Sequence, residues 1–237
     1  MEQQRYQAVI EEIKTGFYRV ELPLPNNPLK SLNSYMLKSP ERNLIIDTGL
    51  NRPECWEAMR GALEELAIDL SRTDIMLTHY HADHCGLAAK LMTETSTAYC
   101  VASEAVVVNQ MGHWSKHWQT LGEYARIHGF PQEELDKALE NHPGRLFSPR
   151  TRIEFHDLQE GDTFQIGDYN LRCIATPGHT YAHMCLYDAH HKLLISGDHI
   201  LGDITPNISQ WYDDSDDLNH FFQSLDKVAD LEVELVL

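Results

Sequence analysis

Three histidines and one carboxylate lie within residues 79–84, directly after the apolar run at residues 75–77. Neutral imidazole nitrogens and a carboxylate oxygen suit zinc and similar divalent ions, and their alternation can serve two metal centres from one turn. A polar loop whose histidines form only hydrogen bonds is the alternative, and it fits a single histidine better than a cluster. The sequence therefore predicts a metal site that contains His79, His81, Asp83 and His84.

This cluster matches the H-x-H-x-D-H signature of the metallo-β-lactamase superfamily, and three further motifs agree with it. Residues 176–180, Thr-Pro-Gly-His-Thr, resemble the loop of that family that carries a third histidine. Residues 196–198, Ser-Gly-Asp, resemble the strand end that carries its bridging carboxylate, and residues 47–49, Asp-Thr-Gly, match its early turn beside the metals. Four motifs in the right order make the resemblance specific and extend it over nearly the whole chain.

The resemblance implies a fold as well as a site. It implies an α/β (α+β) protein, namely the four-layer αββα metallo-β-lactamase sandwich, in which two mixed sheets pack face to face with helices outside. The metal site would lie at the sheet edge where loops of both halves converge. We expect a single domain of this kind over residues 1–237.

The resemblance also implies a role for each motif residue. Asp198 would bridge two ions, one on the side of three histidines and the other on the side of Asp83 and His84. Asp47 is expected to hold the metal-site loops in place, and the alternative is an aspartate that only stabilises its own turn. The implied metal ligands are His79, His81, Asp83, His84, His179 and Asp198.

A metal-dependent hydrolase is the function that the resemblance implies. Zinc is the expected ion, with two ions in the full site, and iron and manganese are alternatives that the family also uses. Such metals lower the pKa of bound water towards about 7 and polarise a carbonyl, so that no serine or cysteine nucleophile is required. Asp198 and Asp83 are the expected catalytic carboxylates, and Asp83 would orient the hydroxide or pass its proton to the leaving group.

The expected substrate is a small molecule with a thioester, ester, lactone or amide bond. Two alternatives from other classes stay open at this point. One is a diiron module for redox or oxygen chemistry, although His81 occupies a position where diiron relatives carry a carboxylate, which favours zinc. The other is a catalytically impaired binding domain.

A formal net charge of −17 at pH 7 limits the partners of the chain. Acidic surfaces repel phosphate backbones and anionic lipids, so we expect neither a nucleic acid nor a membrane partner. The five cysteines are odd in number and form no C-x-x-C pair, which favours reduced thiols, and we expect Cys85 to be a small buried side chain. Without an apolar leader or a run of roughly 20 apolar residues, the prediction is a cytoplasmic protein.

The elements that position the motifs follow from hydrophobic periodicity. Strands end at Asp47 and at residue 77, so that each delivers its motif to a loop. The cluster is expected to continue into a helix from Asp83, with Leu87, Ala88, Leu91 and Met92 on its inward face. The other elements expected in this half are a strand pair over residues 9–22, a hairpin over 33–46, a helix over 52–66 and a strand over 97–102.

A helical insert is expected over about residues 104–145, and it is long for a connection. Its aromatic side chains could form the apolar wall of a substrate pocket. Ordinary helix packing or the face of a homodimer are the alternatives, because an aromatic stripe at helical spacing is more often core than pocket. His113, His117 and His128 lie in this stretch without a ligand-like pattern, so we leave them out of the metal site.

A β-rich half is expected after Pro143 and Gly144, starting with a strand at residues 153–155. In the resemblance, the strand at residues 233–237 would be followed by a loop with a last histidine ligand, which no residue of this sequence matches. We therefore expect that the C-terminus is truncated, and the alternative is a second metal site completed by water, another residue or a neighbouring chain. The other elements expected in this half are strands at residues 163–166, 169–175, 183–187 and 192–195, and a helix over 218–229.

Overall fold

Two β-sheets form the centre of the computed structural model, which describes residues 6–25, 29–208 and 215–237. In the first sheet, neighbours from β1 to β4 pair antiparallel, and β4 to β7 run parallel. The carboxyl ends of β4, β5 and β6 therefore lie at one edge of this sheet. Its strands are β1 (Val9–Lys14), β2 (Phe17–Pro23), β3 (Ser31–Leu37), β4 (Asn43–Ile46), β5 (Thr73–Met76), β6 (Ala98–Cys100) and β7 (Phe155–Asp157).

The second sheet has the order β12-β11-β10-β9-β8 among the described residues. Its neighbours pair antiparallel except β11 and β12, which run parallel. Because β9 and β11 flank β10 and run in one direction, the loops that follow them leave the same edge. The strands are β8 (Thr163–Ile166), β9 (Tyr169–Ala175), β10 (Met184–Asp188), β11 (Leu193–Ile195) and β12 (Leu235–Val236).

Helices cover the outer faces of both sheets. In β4, Leu44 and Ile46 pack between the two sheets, whereas Ile45 packs against the helices outside the first sheet. Val228 of the last helix packs on the outer face of the second sheet. This order of layers confirms the αββα sandwich. The helices are α1 (Pro53–Glu65), α2 (Ala82–Cys85), α3 (Ala88–Leu91), α4 (Ala102–Met111), α5 (Lys116–Ile127), α6 (Gln132–Glu140), α7 (Pro143–Phe147) and α8 (Asp217–Ala229).

The single helix expected from Asp83 is wrong, because the chain forms two short turns, α2 and α3, instead. The amide of Leu87 donates to the carbonyl of Gly49 at 3.0 Å and lies 3.2 Å from the hydroxyl of Thr48. It thereby leaves the helical hydrogen-bond pattern. Leu87, Ala88 and Leu91 are nevertheless buried, as the apolar spacing predicted.

The start of the β-rich half was also predicted incorrectly. Residues after His142 form the short helix α7, and the strand expected at residues 153–155 is β7, two residues later. β7 pairs parallel to β6 and therefore belongs to the first sheet. Three residues offer too little pattern to show which sheet a strand joins.

Four helices, α4 to α7, connect β6 to β7. Trp118 is fully buried there, and its indole N–H donates to the carbonyl of Met111 at 2.9 Å. Trp114, Ile127 and Phe130 remain exposed. Part of the aromatic stripe is thus core, and part lies on the surface.

No helix within the described ranges is both long enough and apolar enough to span a bilayer.

Candidate metal site

Loops from both sheets meet at one edge of the sandwich. Asp47 directly follows β4, and His79 is near the end of β5. His179 lies between β9 and β10, and Asp198 follows β11. The amide of Met184 donates to the carbonyl of Thr78 at 3.0 Å, which joins the two sheets beside these loops. His79 and Asp198, which are 119 positions apart in sequence, are therefore neighbours at the site.

Glycines allow the chain to turn directly before two of the candidate ligands. Gly178 has φ +136° and Gly197 has φ +48°, both in the region that glycine tolerates best. A Cβ atom on Gly178 would lie 2.5 Å from the Cβ of Phe221 in α8. A Cβ atom on Gly197 would lie 2.6 Å from the Nε2 of His183. A larger side chain at either position would therefore displace a ligand loop.

Three imidazoles and one carboxylate converge in the first ligand group, which consists of His79, His81, His179 and Asp198. The Nδ1 atom of His81 lies 3.0 Å from the Nε2 of His79 and 3.0 Å from the Nε2 of His179. The Oδ2 atom of Asp198 lies 3.3 Å from the Nε2 of His179. One ligand atom from each residue lies within 4.8 Å of the others, so the group could hold a metal ion.

Hydrogen bonds on the far side of two imidazoles fix where their protons lie. The hydroxyl of Thr78 donates to Asp47 and lies 3.0 Å from the Nδ1 of His79, so it accepts the Nδ1–H of that ring. The Nδ1–H of His179 donates to the carbonyl of Asn207 at 2.7 Å. When neutral, both rings therefore carry their proton on Nδ1 and present the lone pair of Nε2 to the first ligand group.

The three imidazole nitrogens at the centre of the first ligand group thus have more lone pairs than protons to share between them. A proton on the Nδ1 of His81 could point at only one of the two Nε2 atoms, whereas a cation would accept all three nitrogen lone pairs. Burial lowers the pKa of His81 to about 3 and lowers the pKa of His79 well below its usual value. Neutral imidazole is the form that binds metal, so these residues fit a divalent ion.

The second ligand group consists of Asp83, His84 and Asp198. The Nε2 of His84 lies 3.2 Å from the Oδ1 of Asp198 and 3.8 Å from the Oδ2 of Asp83. Asp198 therefore presents one oxygen to each ligand group. This is the placement that a bridging carboxylate requires.

The carboxylates around the second ligand group favour a proton on His84. Burial opposes charge on His84, but the carboxylates of Asp198, Asp47 and Asp83 outweigh it and raise its pKa well above the usual value. Burial likewise would raise the pKa of Asp198, yet the imidazole of His84 beside it holds this pKa well below its usual range. An ion that binds here must displace the proton on His84.

Asp47 connects the end of β4 to the loop after β5. Its Oδ1 accepts the amide N–H of Thr78 at 2.9 Å, and its Oδ2 accepts the hydroxyl of Thr78 at 2.7 Å. The same Oδ2 lies 2.7 Å from the Nδ1 of His84, so that the Nε2 of this ring faces Asp198. Asp47 has φ 56°, a strained value that aspartate tolerates better than most residues. Through these hydrogen bonds, the carboxylate of Asp47 holds the neighbouring loop.

Glu104, near the start of α4, is a residue that the sequence analysis treated only as the beginning of the insert. Its buried carboxylate accepts the amide N–H of Tyr80 at 2.9 Å and the amide N–H of Ala182 at 2.8 Å. Burial raises the pKa of this carboxyl, and the hydrogen bonds that it accepts oppose the rise. The available signal was its place just after β6, because β6 is the parallel neighbour of β5.

Other conspicuous side chains near the site have structural contacts. His183 is buried, and its Nδ1 lies 2.8 Å from the hydroxyl of Thr176. His199 is buried beside Phe221. Cys85 donates to the carbonyl of Tyr80 at 3.1 Å, and burial raises the pKa of its thiol. All five cysteines are buried and unpaired, and Cys85 is the small buried side chain that was predicted.

The comparison with known proteins agrees with the fold. Residues 28–237 match the family model of the metallo-beta-lactamase superfamily, and the chain belongs to this superfamily. A metallo-beta-lactamase family protein from Thermus thermophilus superimposes with a TM-score of 0.82 at 25% identity, over 95% of this chain and 73% of that protein. This confirms the family that the four motifs predicted.

Two curated relatives add names. The lactamase-like protein aptB of Emericella nidulans is 25% identical over 207 residues, which cover 87% of this chain and 50% of the relative. The atrochrysone carboxyl ACP thioesterase of the same organism is 23% identical over 203 residues, which cover 86% of this chain and 50% of the relative. The chain thus spans about half the length of the curated relatives that it matches.

Proposed function

We propose that this chain is a metal-dependent hydrolase that cleaves a thioester or a related ester, lactone or amide bond in a small molecule. The observation that carries the proposal is the convergence of three imidazole nitrogens and a carboxylate oxygen within 4.8 Å. The thioesterase name of a relative supports acyl cleavage. Membership of the superfamily supports hydrolysis as the reaction class.

In this proposal, two zinc ions occupy the two ligand groups. His79, His81 and His179 would hold the first ion, Asp83 and His84 would hold the second, and Asp198 would contribute to both. Such ions supply an activated water near neutral pH and polarise the carbonyl that is attacked. The three imidazoles support zinc, since nitrogen ligands suit this ion better than they suit magnesium or calcium.

The remaining chemistry falls to the side chains of the chain itself. Asp83 is the most accessible carboxylate of the second ligand group, with 36% of its side chain exposed. A carboxylate there can orient the attacking water and transfer a proton to the leaving group. Asp47 holds the Nε2 of His84 towards Asp198 through the hydrogen bond at Nδ1. A cytoplasmic location and a homodimer remain further predictions.

A paired assay tests this function. The zinc-loaded chain is expected to hydrolyse generic thioester, ester and lactone substrates, and the rate should fall to background after chelation and return when zinc is added. The Asp198→Ala variant is the negative control. Turnover that persists after complete chelation, with the metal content verified, would contradict the proposal. A visible absorption spectrum of the native protein checks the diiron alternative, because zinc proteins are colourless.

A further inference from the structure

The carboxylate of Glu104 links the two loops that carry the three histidines of the first ligand group. Tyr80 lies between His79 and His81, and its amide N–H donates to the Oε2 of Glu104 at 2.9 Å. Ala182 lies three residues after His179, and its amide N–H donates to the Oε1 of Glu104 at 2.8 Å. Each oxygen of Glu104 therefore holds a different loop, one from each sheet.

The position of Glu104 makes this link rigid. The side chain is almost completely buried, and it extends from α4, which begins two residues after β6. A buried carboxylate that accepts two amide hydrogens fixes the donors relative to one another, since neither loop can move without losing a charge-assisted bond. The N–H of Tyr80 lies between two of the histidines whose nitrogens converge. Its orientation therefore affects both rings.

We infer that Glu104 is a positioning residue that holds the His79–His81 loop and the His179 loop at the separation a metal ion requires. This inference rests on the proposed metal site. Glu104 does not ligate the metal in this account, because both of its oxygens are engaged by backbone amides. It acts by setting the distance between imidazole nitrogens that belong to different sheets.

A second buried carboxylate of the chain offers a matched control. Asp188, at the opposite end of β10 from the site, accepts the amide N–H of Asn170 at 2.9 Å and the amide N–H of His191 at 2.8 Å. It is fully buried like Glu104, and it too joins two backbone segments through its two oxygens. Its hydrogen bonds involve β9 and the turn after β10, not a loop with a candidate ligand.

The informative variants are Glu104→Gln and Asp188→Asn. Each replaces one acceptor oxygen by an NH₂ group, so that one buried backbone N–H faces another donor. Both variants should lose some thermal stability. Only Glu104→Gln should weaken zinc binding, by about 10 to 100-fold, which is the usual effect of losing a partner that orients metal ligands.

The measurement is a competition titration of zinc against a chromophoric chelator, on the wild type and both variants. The cobalt-loaded forms provide a second readout, since their visible absorption reports ligand geometry. The spectrum should change in Glu104→Gln and stay as wild type in Asp188→Asn. If Glu104→Gln does not fold, Glu104→Asp is measured instead. It keeps the charge but is one methylene too short to reach both amides, so the same loss is expected.

The outcomes separate this inference from the proposed function. A wild-type chain that binds no zinc would overturn the metal site itself. A wild type that binds zinc, with a Glu104→Gln variant that binds it equally tightly and shows the same cobalt spectrum, would overturn only the role of Glu104. Equal weakening in Glu104→Gln and Asp188→Asn would also overturn it, because the effect would then reflect general stability.

Discussion

The two ligand groups of the site differ in how far the protein alone prepares them for a metal. In the first group, Thr78 and Asn207 accept the Nδ1–H of His79 and His179, and three imidazole nitrogens face one another. In the second group, one imidazole faces two carboxylates, and a proton on His84 takes the place of a cation. Preorganised neutral ligands bind an ion without first losing a proton. We therefore expect the first ion to bind more tightly than the second.

Solvent exposure points in the same direction. The side chain of His79 is 0% exposed, whereas that of Asp83 is 36% exposed. A shielded ligand holds one position, and an exposed carboxylate can rotate into water. The first group should therefore hold an ion more rigidly than the second.

The largest effect is expected from Asp198→Ala, which removes the one carboxylate that both groups share. Loss of a partner that orients a metal ligand typically lowers activity by about 10 to 100-fold. The loss in Asp198→Ala should be larger than this, on any substrate that the wild type accepts. Zinc affinity should fall at both positions. Steady-state kinetics and zinc titration measure this, and wild-type turnover in Asp198→Ala would show that the carboxylate does not bridge.

Two histidine variants should each abolish a different one of the two zinc-binding events. His179→Ala removes a nitrogen of the first group and should abolish the tighter of the two zinc-binding events. His84→Ala removes the single imidazole of the second group and should abolish only the weaker one. Isothermal titration of the metal-free variants with zinc separates these cases. Loss of the same binding event in both variants would mean that the two groups form one site.

A milder effect is expected from Asp47→Ala, which leaves every proposed ligand in place. The variant frees the Nδ1 of His84 and removes the acceptor of both Thr78 bonds. Metal affinity or activity should fall by about 10 to 100-fold, mainly at the second position. Asn at position 47 should recover part of the loss, because it can still accept the amide N–H of Thr78. A variant with unchanged affinity for both ions would exclude this role.

The smallest effect concerns pH. The carboxylates around His84 raise its pKa well above the usual value, so the protonated form persists at neutral pH in the metal-free protein. A proton there competes with the second ion, so affinity at the second position should rise with pH through the neutral range. The first position should change less, because the pKa of His81 is about 3. Zinc titrations at several pH values compare the two slopes.

The candidate ligands could be located from the sequence because each lies in a short motif that follows the end of a strand closely. Strand ends are visible as breaks in apolar runs, and the sandwich was implied by the family resemblance of the motifs. The strand β4 has no polar residue in its last three positions because both of its faces are buried. Local pattern therefore located the strands, and the family resemblance of the motifs supplied the fold class and the candidate ligands.

The features that were missed depend on contacts between distant segments. The helix after Asp83 is interrupted because Leu87 bonds with Gly49 and Thr48, which no local periodicity encodes. Glu104 looks like an ordinary residue at the start of a helix until its two amide partners are known. The available clue was that Glu104 follows shortly after β6. This strand is the parallel neighbour of β5, which leads to the histidines, and parallel neighbours end at the same edge of a sheet.

The metal content of the protein tests the central claim most directly. We predict that crystals of zinc-exposed protein give anomalous scattering at the zinc edge at two positions on either side of Asp198. The position among His79, His81 and His179 should have the higher occupancy. Zinc-exposed protein that shows no metal next to these residues, in crystals and by elemental analysis, would contradict the account.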